Sequence, residues 1–212
     1  MRLSHDQAIA LGTHLGGLYG ATVLTHDSPG VVLALGLFDA ATALVPAVAP
    51  VVTALRAPLD RVSLTFPAPA GTVVVLSPAA VATPESYAEV VAHECEHARQ
   101  IAQVGGTQTA VDYLGSGELR ATREAQAYVV GLWVRFLVTG ELPTVESAMS
   151  SLTSGLYHLD AEDIELARGV VTSGVETIRE GSCPPYEVAA VALLWLRVHA
   201  ADVLPVAWQV RS

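Results

Sequence analysis

Residues 86–104, SYAEVVAHECEHARQIAQV, decide how this chain is read. The stretch has no Pro or Gly, follows Pro84 and Glu85, and stops at Gly105-Gly106, so its punctuation is that of one helix. Tyr87, Val91, Cys95, Ala98 and Ala102 recur at helical spacing and predict a buried face. Another face carries His93 and His97, with Glu94 after the first, in an H-E-x-x-H pattern. Imidazoles four residues apart lie one above the other, about 6 Å apart, within reach of one metal ion. Glu94 is rotated by about 100° along the helix, which sets its carboxylate beside such an ion, where a base for an activated water belongs. The competing reading is a pair of surface histidines.

Neutral imidazoles suit zinc, and a catalytic zinc takes three protein ligands and leaves a fourth position for water. The next helical segment, 117–138 (GELRATREAQAYVVGLWVRFLV), follows Ser116, closes near Gly140 and Pro143, and offers Glu118 and Glu124. Glu118 sits in the first turn, where the helix dipole favours a negative charge without any metal. Glu124 lies mid-helix beside Arg120 and Arg123 and reads equally as a solvated charge pair. Wheel arithmetic leaves the choice open, because Glu118 falls nearer the centre of the apolar stripe (Val129, Leu132, Phe136) and Glu124 nearer its edge.

His93 to His97, followed by Arg99-Gln100, Gly105-Gly106, Tyr113-Leu114 and Arg120 to Tyr128, resembles zincin-like metallopeptidases of the gluzincin kind. In that family a glutamate on a second helix, in an E-x-x-A or E-A-x-A-Y setting, completes the zinc site. The resemblance therefore implies Zn2+ held by His93, His97 and Glu124. Glu118 has the shorter spacing of thermolysin-type enzymes but lacks their preceding asparagine. The resemblance spans about Val73 to Val138, under a third of the chain.

Upstream, Thr72 to Leu76 is a β-branched run between Gly71 and Pro78, and Arg61 to Phe66 alternates in part. Both predict strands, joined through Pro67 to Ala70. A strand beside the metal helix has an edge that could pair with an extended substrate backbone. Elsewhere the expected helices are Ser4 to Leu24, one or two apolar pieces over Phe38 to Arg56, Val145 to Tyr157, Ala161 to Arg179, and Pro185 to Val203. In the last, Val188, Val191, Leu194, Trp195 and Val198 are expected inside. The fold class is α+β, mostly helical and zincin-like, with a small sheet beside the H-E-x-x-H helix. Residues 1–212 read as a single domain, with an N-terminal helical part (1–60), strands and metal-site helices (61–140), and C-terminal helices (141–212).

The net charge of −10, with only 11 Lys and Arg and no basic cluster, excludes nucleic acid as the expected partner. Hydrophobic residues at 51% against 15% charged suggest burial against a protein assembly partner. Cys95 and Cys183 define no disulfide framework; Cys95 reads as core packing and Cys183 as a turn residue. The N-terminus lacks the apolar core of a secretory signal, and Ala40 to Leu55 is too short for a membrane span. The expectation is a cytoplasmic product, or one packaged in a larger particle.

The expected activity is peptide hydrolysis, in which Glu94 accepts the proton of a zinc-activated water and passes it to the leaving amine. Tyr113, Tyr128, Tyr157 and His158 are the candidate donors to the developing oxyanion. Two other classes use the same residues. One is a non-enzymatic structural protein, such as a phage or secretion particle component, for which a base at Glu94 has no purpose. The other is a small-amide hydrolase; peptide deformylases resemble the motif but take a cysteine ligand from an upstream segment lacking here.

Overall fold

The computed structural model describes residues 2–29, 31, 63–68 and 71–209. Among them are seven α-helices and one three-stranded mixed sheet, an α+β architecture that is mostly helical. The chain opens with α1 (His5–Leu18), started by a capping box in which Ser4 and Gln7 exchange side-chain and backbone hydrogen bonds. Strand β1 (Ala21–Thr25) follows, then β2 (Leu64–Ala68) and β3 (Gly71–Leu76). The sheet order is β1-β3-β2, with β1 parallel and β2 antiparallel to β3.

Two long helices make the centre. Helix α2 (Pro84–Val104) starts with the Thr83 hydroxyl accepting from the Ser86 amide and Pro84 in its first turn, and ends at Gly105, whose φ of +87° a side chain would strain. Short helix α3 (Gly106–Gly115) leads to α4 (Gly117–Thr139), capped by Ser116 and closed by left-handed Gly140. The remaining helices are α5 (Val145–Leu152), α6 (Ala161–Arg179) and α7 (Glu187–His199). Helix α2 packs on α1, α4, β2 and β3, and α4 also on α6 and α7. Close approach is purchased with glycine at two points. A Cβ on Gly131 would come 3.2 Å from the Glu89 carbonyl and 3.5 Å from the His93 Cβ, and one on Gly174 would come 2.5 Å from both Val129 γ-carbons. Trp133 is fully buried and donates its indole N–H to the Ala189 carbonyl at 3.1 Å.

Several expectations change. The opening helix stops at Leu18, because Gly20 turns the chain at φ +64° and residues 21–25 pair with β3. The helix expected to reach Tyr157 ends at Leu152, ahead of a turn through left-handed Gly155. Helix α3 was not foreseen. In α7, Val188 and Trp195 are inside, but Leu194 and Val198 are exposed, since apolar residues surround that helix and its neighbours select Ala189, Ala192, Leu193 and Leu196 instead. The apolar segment Phe38 to Arg56 lies outside the described residues. No described helix is long and apolar enough to cross a membrane.

Candidate metal centre

Helix α2 presents His93 and His97 one turn apart, and their Nε2 atoms lie 3.2 Å from each other. Glu124, on the neighbouring helix α4, brings Oε2 to 3.4 Å from His97 Nε2 and 3.8 Å from His93 Nε2. These three side chains form a group that could hold a metal ion, every ligand atom within 4.8 Å of the others. Glu118 is not part of it: it is exposed in the first turn of α4. The charge-pair reading of Glu124 also fails. Arg123 pairs with Asp112 at 2.6 Å, and Arg120 donates to the carbonyls of Tyr113, Tyr157 and His158. Cys95 is fully buried in the core, as its helical phase implied, and Cys183 stands outside the group.

Each donor is held by a neighbour. The Gln100 amide nitrogen donates to the Arg123 carbonyl, so the amide oxygen faces His97 Nδ1 at 3.1 Å. That partner places the proton of a neutral His97 on Nδ1 and turns the Nε2 lone pair towards His93 and Glu124. The Tyr128 ring meets the His93 ring edge to face, centroids 4.6 Å apart. Tyr113, from α3, donates its hydroxyl to Glu124 Oε1 at 2.7 Å. The other carboxylate oxygen, Oε2, is buried without a well-formed hydrogen bond, its nearest polar neighbour being His97 Nε2 at 3.4 Å.

The electrostatics follow from crowding. Burial, reinforced by the His97 charge, pushes the His93 pKa down to about 3, so this ring is neutral. Burial works against charge on His97 and Glu124 as well, but their mutual attraction prevails, raising the His97 pKa and lowering that of Glu124. In the metal-free protein a proton on His97 thus stands where a cation would. Glu94 is nearly buried on the adjoining face, and its Oε2 accepts the Thr65 hydroxyl of β2 at 2.7 Å. Burial lifts its pKa to about 7 against the opposing pull of His97 and Thr65.

Two cavities meet at these residues. The larger, about 460 Å³, runs past His97 and Glu124 between β2 and α3, with Leu64, Ile101 and Leu156 among its apolar walls. The smaller, about 300 Å³, runs past His93 along the first half of α2, with Ser63, Ser77, Ser86 and Glu89 among its polar walls. Tyr157 lines both, and its hydroxyl lies 3.1 Å from that of Tyr128. Of the four foreseen hydroxyl or imidazole donors, Tyr113 is committed to Glu124 and His158 lines neither cavity. Thr65 and Gln100 were not foreseen as site residues. Gln100 carried a signal, standing three residues after His97 on the same helix; Thr65 carried none, being 29 residues from Glu94. Comparison with protein-family models, with curated proteins and with solved structures gives no match.

Proposed function

We propose that the protein is a zinc-dependent peptidase in which His93, His97 and Glu124 hold the ion and Glu94 is the general base. The observation that carries this reading is Glu124 Oε2, a buried carboxylate oxygen with no hydrogen-bond partner, facing two imidazole nitrogens. A buried charge in that position calls for a cation. The donor set suits zinc, and so does the size of the triangle. Tetrahedral zinc with donors at about 2.0–2.1 Å has donor–donor edges of about 3.3–3.4 Å, and the sides here are 3.2, 3.4 and 3.8 Å.

When bound, zinc would supply a Lewis acid for the scissile carbonyl and a water acidic enough to ionise near neutral pH. The protein's own groups do the rest. Glu94, buried beside the three donors, is the carboxylate at hand to take a proton from the attacking water and return it to the leaving nitrogen. Thr65 fixes one of its oxygens and leaves the other for the reaction. Tyr157, which lines both cavities, and Tyr128, whose ring packs on His93, are the two tyrosines left to donate to a developing oxyanion. Among the described residues β2 pairs only with β3, so its outer edge, bordering the larger cavity through Leu64 and Thr65, can align an extended peptide. A chain laid across the centre would place an apolar side chain in the larger cavity and a small polar one in the smaller.

The test pairs metal analysis with cleavage of a mixed peptide library by the native protein and by Glu94→Gln. Zinc in both, with cleavage by the native form alone, supports the peptidase. Zinc in both with cleavage by neither moves the reading to a non-enzymatic assembly protein. Absence of zinc from the native protein ends it.

A further inference from the structure

The larger cavity has one wall that the core does not hold. Helix α3 buries none of its residues, and Leu114 in its last turn is 84% exposed. Yet Thr109, Ala110, Tyr113 and Leu114 all line that cavity. At its start α3 abuts β2, where a Cβ on Gly106 would fall 2.5 Å from the Pro67 Cβ. At its end it is fastened to α4 by polar contacts: Tyr113 Oη to Glu124 Oε1 at 2.7 Å, Arg123 Nη2 to Asp112 Oδ2 at 2.6 Å, and the Arg120 guanidinium to the Tyr113 carbonyl. Only the first of these touches the candidate metal centre.

We propose that Tyr113 is a positioning residue for the metal centre, and that through it ion binding at Glu124 and docking of the α3 cavity wall are coupled. The inference rests on the metal site proposed above. A glutamate has several rotatable bonds, and its two oxygens exchange places by rotation of the carboxylate. A phenol held at 2.7 Å from Oε1 stops that rotation and leaves Oε2 as the atom turned to His93 and His97. An ionised carboxylate has acceptors only, so Tyr113 must be the donor. Glu124 therefore answers to two partners on opposite sides, an ion at Oε2 and α3 at Oε1. Coupling of this kind is reciprocal: whatever factor α3 docking adds to metal affinity, metal binding adds to α3 docking. The wall of the substrate cavity is then completed when the centre is filled.

The test uses the full chain and zinc alone as probe. Zinc dissociation constants are measured by chelator competition for the native protein and for Tyr113→Phe, which keeps the ring and removes only the donor. Far-UV circular dichroism checks the fold. Loss of an outer-shell partner predicts a roughly 10- to 100-fold weaker affinity in Tyr113→Phe. Independently of any variant, amide exchange over residues 106–115 of the native protein is followed with and without zinc. Zinc should slow it, and in Tyr113→Phe this slowing should shrink or vanish. Equal affinities in the two proteins, or native α3 exchange indifferent to zinc, would overturn the proposal while leaving the metal site intact. A native protein that binds no zinc would overturn the site reading and this inference with it.

Discussion

Replacing Glu94 by Gln should stabilise the metal-free protein, and only above the acidic range. The carboxyl is 4% exposed, and burial raises its pKa from 4.5 to about 7. In the unfolded chain it ionises near 4.5, whereas the folded protein keeps the proton until about 7. Over that interval the unfolded state binds fewer protons, so stability falls as pH rises. Below 4.5 both states are protonated and nothing is lost; above about 7 both are ionised and the loss is complete. At about 1.4 kcal/mol for each tenfold change in proton binding, the total is roughly 3 kcal/mol. Gln has nearly the same shape, carries no charge, and can still accept the Thr65 hydroxyl. The two proteins should therefore unfold alike at about pH 4, with Glu94→Gln more stable by roughly 3 kcal/mol at about pH 8. In a chain of this length that is a gap in Tm of roughly 6–12 °C. The assay is urea unfolding with a chelator present, repeated across the pH range. Zinc should narrow the gap, because a dication beside Glu94 favours its ionised form. Parallel stability curves from acid to alkaline pH would refute the reasoning, since they would mean that Glu94 ionises without cost.

Two further outcomes follow from the same geometry. Because Glu124 raises the His97 pKa above its usual 6.5, an incoming ion must expel that proton at neutral pH. Apparent zinc affinity should then climb at least tenfold per pH unit up to neutrality, more steeply where Glu94 also gives up its proton, and affinity independent of pH in dialysis experiments would contradict this. In the packing behind the site, a Cβ on Gly174 meets both Val129 γ-carbons at 2.5 Å. Gly174→Ala should cost about 1–3 kcal/mol in denaturant unfolding. Val129→Ala should recover part of that loss in the double variant, and strict additivity of the two changes would show that they do not meet.

How much of this could be read from residues alone depended on the range of the contacts involved. Helix α2 was legible because its periodicity and its punctuation by Pro84 and Gly105 are local, and the phase of His93 and His97 follows from helix geometry. The Glu118 and Glu124 alternatives were not separable by phase. Apolar residues run almost all the way round the second half of α4, with Val129, Val130, Leu132, Trp133 and Val134 all buried, so the wheel had no single face to orient it. The same all-round apolar character misplaced Leu194 and Val198 on α7. Strand β1 was missed because its partner β3 lies some fifty residues on, at Ala21↔Thr72, although Gly20 and the β-branched Thr22, Val23 and Thr25 were local signs of a break and a strand.

What separates the acidic residues in the end is bookkeeping of donors in the folded chain. Among the described residues three glutamates are buried around α2. Glu96, facing away from the site, receives the Arg99 guanidinium on both oxygens. Glu94 receives Thr65, and the burial cost left over raises its pKa to about 7, where the proton it holds becomes easy to exchange. Glu124 receives Tyr113 on one oxygen only, and its pKa is held down by the histidines beside it, so it stays ionised. Among the described residues its Oε2 is the one buried carboxylate oxygen without a hydrogen bond. A permanent charge costs several kcal/mol to leave unanswered in an interior. The two imidazole nitrogens converging on it can answer that charge by binding a proton or by sharing a metal ion. A metal ion would engage both nitrogens together with the carboxylate and release the His97 proton, whereas in the metal-free protein burial and the His97 charge keep His93 neutral.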